Sequence, residues 1–272
     1  MIKLRNLIKL VPALALTAAT MFGVFGVNKL SAKTPTANVK LIGLAPNNIL
    51  ITLDSRRTIR VTGVEGNLQG IDFRPANGKL YGVTDTDKIY TINPDTGAAT
   101  FVKNLSTSFD GGFQSGFDFN PVPDRLRIVG SNDQNLRTNV ETGEVAVDKP
   151  LTYATTDSNA SKNPNVTAAA YTNNRAGVTS TQLFVIDYDL DVLALQNPPN
   201  DGTLNTIGSL GVNFSPIGGF DIFTDAQGTN TAFAVSGANL YTINLSTGAA
   251  TKVSNLRRDD LIGLAVTANS RR

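Results

Sequence analysis

Apolar and polar residues alternate with a period of two over many short stretches that are rich in Ile, Val, Tyr and Thr. Lys79–Thr84 (KLYGVT) and Lys88–Asn93 (KIYTIN) are examples. This pattern predicts β-strands with one face buried. Between the stretches lie Thr-Gly and Asp-Gly pairs at Gly97, Gly143, Gly202 and Gly248. Glycine at these places lets a tight turn adopt positive φ. No stretch predicts an amphipathic helix of useful length, and Ser158–Asn163 has room for one turn at most.

The alternating stretches repeat. Lys88–Thr100 reads KIYTINPDTGAAT and Asn239–Thr251 reads NLYTINLSTGAAT, displaced by 151 residues. A second series opens each unit: GIDFRP at Gly70–Pro75, GFDFNP at Gly116–Pro121 and GFDIF at Gly219–Phe223, the first two 46 residues apart. With a period of about 50 residues, the longer displacement equals three repeats. Four short strands per unit at this spacing describe a blade of a β-propeller. The fold class is therefore all-β, with blades over 70–104, 115–149, 166–208 and 217–254.

The two ends complete the count. Leu261–Thr267 (LIGLAVT) reads as an innermost strand with nothing after it, and Val39–Val64 reads as three outer strands with nothing before them. Joined, they make a fifth four-stranded blade and leave no open sheet edge. Six blades are the alternative, because Val24–Thr36 or Thr152–Val166 could hold further strands.

One continuous apolar run, Leu10–Val27, follows Lys3, Arg5 and Lys9 and ends near Leu30-Ser31-Ala32. This is the layout of an export signal over 1–32, and its length also permits an uncleaved N-terminal anchor. The expected organisation is then a linker at 33–38, one propeller domain at 39–267 and a tail at 268–272. Without 1–32 the chain keeps 20 basic and 22 acidic residues, so its basicity belongs to the signal. No basic stripe remains for nucleic acid, and membrane contact is expected only if the signal stays uncleaved. There is no Cys and no His, which rules out disulfides and the usual ligands of zinc, copper and haem. A bound metal would be a hard, oxygen-ligated ion such as Ca²⁺.

GIDFRP, GKLYGV and YTINPDTGAAT, followed by GFDFNPVPDRLRIV, QNLRTNVETG, AAYTNN, NPPNDGTL and GFDI, together resemble the bacterial domain-of-unknown-function family 4394 (DUF4394). The resemblance spans roughly 41–267. It implies a secreted or envelope-associated propeller-like protein and supplies no activity or catalytic residue.

Three groups of residues could carry chemistry. Asp72, Asp118 and Asp221 hold equivalent places on inner strands, which line a propeller's channel. They could converge as calcium ligands or as an acid/base group, or each could accept backbone N–H groups at a strand start. Asn120, Asp124, Arg125 and Arg127, with Asn135 and Arg137 ten residues on, could grip a carboxylate or sulfate. The bracing alternative pairs Arg125 or Arg127 with Asp118 or Asp124. Tyr171, Asn173 and Asn174, with Asp187, Tyr188 and Asp189, form a polar-aromatic patch or a set of turns.

These features favour a binding or scaffold module with an unidentified extracellular or envelope ligand, and Thr152–Asn165 as a contact loop. A glycosidase-like hydrolase using the three aspartates is the alternative. Against it, Glu65, Glu141 and Glu144 are the chain's only glutamates, and there is no Trp for sugar stacking.

Overall fold

The computed structural model describes residues 39–269, so the expected export signal at 1–32, the expected linker at 33–38 and Val24–Thr36 lie outside the described residues. In chain order, β1 (Val39–Ala45), β2 (Ile49–Thr52) and β3 (Arg57–Arg60) come first. Blade 1 holds β4 (Leu68–Phe73), β5 (Leu80–Thr84), β6 (Lys88–Ile92) and β7 (Ala99–Asn104). Blade 2 holds β8 (Ser115–Asn120), β9 (Arg125–Gly130), β10 (Asn135–Thr138) and β11 (Val145–Val147). After β12 (Thr152–Tyr153), blade 3 holds β13 (Val166–Tyr171), β14 (Leu183–Asp187), β15 (Val192–Gln196) and β16 (Thr203–Ser209). Blade 4 holds β17 (Gly218–Thr224), β18 (Asn230–Ser236), β19 (Asn239–Ile243) and β20 (Ala250–Asn255).

The last strand, β21 (Gly263–Ala268), completes the ring. It pairs antiparallel with β1, from Val39 opposite Ala268 to Leu44 opposite Gly263, giving blade 5 the order β21-β1-β2-β3. The expected closure by both ends of the domain is therefore present, and the blades number five. The Thr152–Val166 stretch adds no sixth blade. Its strand β12 runs parallel to β16 as a fifth, outermost strand of blade 3. Asp157 ties the rest of the stretch down by accepting the Thr206 N–H at 2.6 Å and its hydroxyl at 2.8 Å.

The inner strands contact one another in the circle β4, β8, β13, β17, β21 and back to β4. Each junction between blades buries one apolar cluster. Leu68, Ile71 and Tyr90 meet Ile42 and Leu44 between blades 1 and 5, and Phe184 and Ile186 meet Phe220 and Ile222 between blades 3 and 4. Since every blade lies between two others, its second strand is buried on both faces. Leu80–Thr84 and Leu183–Asp187 are buried at every position. Only outermost strands such as β7 face water, so the one-sided burial predicted from alternation does not describe the blade centres.

Glycines set how closely the blades approach. Gly143 has φ 79°, and a Cβ there would lie 2.1 Å from the Asn104 carbonyl oxygen, where the blade 2 turn rests on blade 1. On the inner strand, a Cβ at Gly116 would lie 2.5 Å from Ala169 N. Backbone cannot yield as a side-chain tip can. Gly116→Ala is expected to destabilise the fold by about 2–3 kcal/mol through overpacking. A urea midpoint equal to that of the unaltered protein would show that β8 and β13 do not approach this closely.

Candidate functional site

The channel side of the ring gathers the three inner-strand aspartates. Asp72, Asp118 and Asp221 are 2%, 0% and 1% exposed, and each offers a carboxylate oxygen within 4.8 Å of the others. Asp72 accepts the N–H of Phe73 at 2.6 Å and, across the blade junction, that of Phe119 at 2.8 Å. Asp221 repeats this arrangement with Ile222 at 2.6 Å and Val266 at 2.5 Å. In each case the crossing bond goes to the residue just after the equivalent position in the next blade, which places Ala170 and Ala265 at the two ring positions without a carboxyl group. Convergence and backbone bonding, posed as alternatives from sequence, coexist.

Asp118 differs. Neither of its oxygens has a hydrogen-bond donor. The Tyr171 N–H faces it and favours its charged form without reaching bonding geometry. Burial, and then the charges of Asp72 and Asp221, push the Asp118 carboxyl far above the usual carboxylate range. Asp72 is raised by burial and then by Asp221. Burial raises Asp221 to about 7, against the pull of its two backbone donors and of the neighbouring Asp118 carboxyl. No basic side chain contributes to the charge balance of any of the three.

The two ends of the axis are unlike. At the end where inner strands begin, all five blades line a cavity of about 10 Å³, room for one water-sized sphere. Next to it, Gln114 Nε2 donates to the carbonyls of Gly218 at 3.1 Å and Ile262 at 2.7 Å. At the opposite end a funnel of about 360 Å³ opens between Phe73, Arg74, Asn174, Arg175, Phe223 and Thr267, and none of the three aspartates lines it.

The NPVPDRLR arginines stand at blade junctions on the funnel side. Arg127, 2% exposed, donates to Asp148 at 2.6 Å, Asn135 at 2.7 Å, Asn200 at 2.7 Å and the Tyr171 hydroxyl at 3.3 Å. Arg137 donates Nε to both oxygens of Asp148. Arg125 bonds only the carbonyls of Pro123 and Asp124, each at 2.9 Å. Asp124 is held by Arg74, which also meets Glu141 at 2.7 Å and lies over the Tyr81 ring. Bracing is thus done by Arg74–Asp124 and Arg127–Asp148, not by the pairs weighed from sequence. Asn120, Arg125, Arg127, Arg137 and Tyr171 line one pocket of about 180 Å³, while Asn135 is buried behind it, accepting from Arg127 and Gln196.

The polar-aromatic group of blade 3 is dispersed. Tyr171 faces the arginine pocket. Asn173 donates its backbone N–H to Asn230 Oδ1, and Asn174 lines the funnel with a buried, unpartnered Oδ1. Asp187 lies at the far end of its strand, accepting Tyr153 OH at 2.8 Å and turn N–H groups, and Tyr188 packs edge-on against Phe113. Sequence reasoning missed Arg74, Gln114, Asp148 and Asn200. Arg74 alone left a signal, as the charged residue where the parallel motif has Asn120.

Among solved structures, a structural-genomics protein of unknown function from Bacteroides thetaiotaomicron VPI-5482 superposes with a TM-score of 0.51 at 19% identity, covering 83% of this chain and 60% of that one. A protein of unknown function from Bacteroides caccae gives 0.41 at 13%, covering 79% and 72%. An auxiliary nutrient binding protein from Bacteroides ovatus ATCC 8483 gives 0.45 at 13%, covering 84% and 56%. The chain thus spans three fifths of the first structure's length, and the likeness is one of fold. Comparison with curated proteins gives no match. The repeat motifs, the ring they build and a family match over residues 40–265 agree: the chain belongs to the family described as Domain of unknown function (DUF4394).

Proposed function

We propose that the protein is an extracytoplasmic binding module, exported on its 1–32 signal, whose ring is pinned by one hard divalent cation held between Asp72, Asp118 and Asp221. One observation carries this reading: three buried carboxylates share a space 4.8 Å across with no basic partner. Oxygens on opposite sides of a Ca²⁺ ion stand about 4.6–5.2 Å apart, from metal–oxygen distances of 2.3–2.6 Å. Each oxygen of Asp72 and Asp221 uses one lone pair on a backbone N–H and keeps another, while Asp118 is wholly uncommitted. Ligands from three blades would make the ion a tie across the ring. The hydrolase alternative needs acids that touch a substrate, and burial of all three weighs against it.

Burial also means the ion enters as the ring forms. Protein unfolded in chelator and refolded with 1 mM Ca²⁺ is expected to melt about 5–10 °C above protein refolded without it. That corresponds to about 2.7 kcal/mol at a hundredfold excess over Kd, and 2–4 °C per kcal/mol in a domain of this size. Asp118→Asn is expected to abolish the difference. Equal melting with and without Ca²⁺ or Mg²⁺ overturns the reading.

A further inference from the structure

We propose that the pocket between blades 2 and 3 is an oxyanion site that takes the carboxylate or sulfate of a small or sugar-borne ligand, independently of the axial cation. Arg125, Arg127 and Arg137 line it, and no acidic side chain does. Arg125 and Arg127 are two apart on β9 and share a face. Arg137 is the cross-strand partner of Arg127 on β10. Like charges placed opposite each other repel, and Asp148, 5% exposed behind them, accepts from both. Three cations against one carboxylate leave the pocket with a surplus of positive charge.

The donor inventory sharpens this. Arg127 is committed to four internal partners and anchors the pocket. Arg137 spends only Nε, on Asp148, so its two terminal NH₂ groups have no acceptor among the described residues. Arg125 spends only Nη1, on carbonyls of its own turn, so Nε and Nη2 are free. The Asn120 and Asn200 carbonyl oxygens accept from Val122 N–H and Arg127, which leaves their amide NH₂ groups as further donors. A pocket rich in unspent N–H and poor in acceptors recognises an anion with several oxygens, and a guanidinium fork matches a carboxylate or sulfate edge. About 180 Å³ is small for a whole drug-sized ligand, so the site fits one charged group with little more than a single ring attached.

The test is calorimetric titration of the purified protein at low ionic strength with galacturonate, glucose 6-sulfate and inorganic sulfate, and with galactose and glucose as uncharged controls. At least one charged probe is expected to bind with a submillimolar Kd while both neutral sugars do not. Uronate binding alone assigns the carboxylate as the recognised group, and binding of the sulfated sugar or sulfate alone assigns the sulfate. Arg137→Gln is expected to weaken binding at least tenfold. Arg125→Gln, whose side chain bonds only local carbonyls, is expected to do the same without changing the melting temperature. The proposal is overturned if no charged probe binds at 10 mM, if neutral sugars bind equally well, or if both variants bind as the unaltered protein does.

Discussion

Stripped of divalent cations, the protein is expected to melt at steadily lower temperature as pH rises from about 5 to about 8. Most carboxylates act the other way, because partners in the folded state lower their pKa. Here burial raises Asp72, Asp118 and Asp221. The folded ring therefore holds protons that the unfolded chain releases above about pH 4. Where the folded state binds more protons, stability falls with pH. The contribution is complete below the unfolded value and disappears as pH passes through the folded one, about 7 for Asp221. For that group alone the two units between pH 5 and 7 correspond to about 3 kcal/mol, at 1.36 kcal/mol per unit, or about 5–10 °C. Asp133, which burial also raises, acts in the same direction, while Asp95, Asp157 and Asp260 have lowered values and lose their contributions only on further acidification. Thermal melts of chelator-treated protein across this range check the effect, and Asp118→Asn should remove only the share of Asp118, since burial keeps Asp72 and Asp221 raised. A melting temperature that is constant or climbing from pH 5 to 8 would sink the account of the triad. With calcium bound, the ion takes the place of the protons and the slope should disappear.

Arg127→Met is expected to be the most damaging single side-chain change on the funnel side, at about 3–5 kcal/mol. It removes a guanidinium that is 2% exposed from a carboxylate that is 5% exposed. Asp148 would then rely on Arg137 alone, and Asn135, Asn200 and Tyr171 would each lose a partner. Methionine keeps most of the volume, so the loss measures charge and hydrogen bonding more than a cavity. Adding Asp148→Asn should recover part of it, because the orphaned charge goes. Chemical denaturation of the single and double variants decides this. If the double variant is less stable than Arg127→Met, the buried charge is not the source of the cost.

Blade number, blade order and the joining of Val39–Val64 to Leu261–Thr267 were legible because they follow from repetition. So was the meeting of the three aspartates, since equivalent positions on a closed ring must face one axis. What repetition does not encode was not legible. Asp148 and Asn200 reach Arg127 from non-repeating loops, 21 and 73 positions away in the chain. Gln114 bonds carbonyls 104 and 148 positions away. Strand β12 was hidden because two residues carry no alternation and its pairing is parallel. Asp118 and Arg127 are directly opposite on β8 and β9, which made their pairing a fair expectation. The long arginine stem turns outward to the blade junction instead, and Asp118 is left with no cation.

The shared fifth blade also governs how the ring can be assembled. Gly263, the start of the innermost strand of that blade, follows Ala45, the end of its neighbour, by 218 residues. A chain synthesised from its N-terminus must carry β1 with one edge unsatisfied while four blades are made. The circle can shut only once β21 has been made, so no earlier fragment of the sequence contains every inner strand of the finished axis.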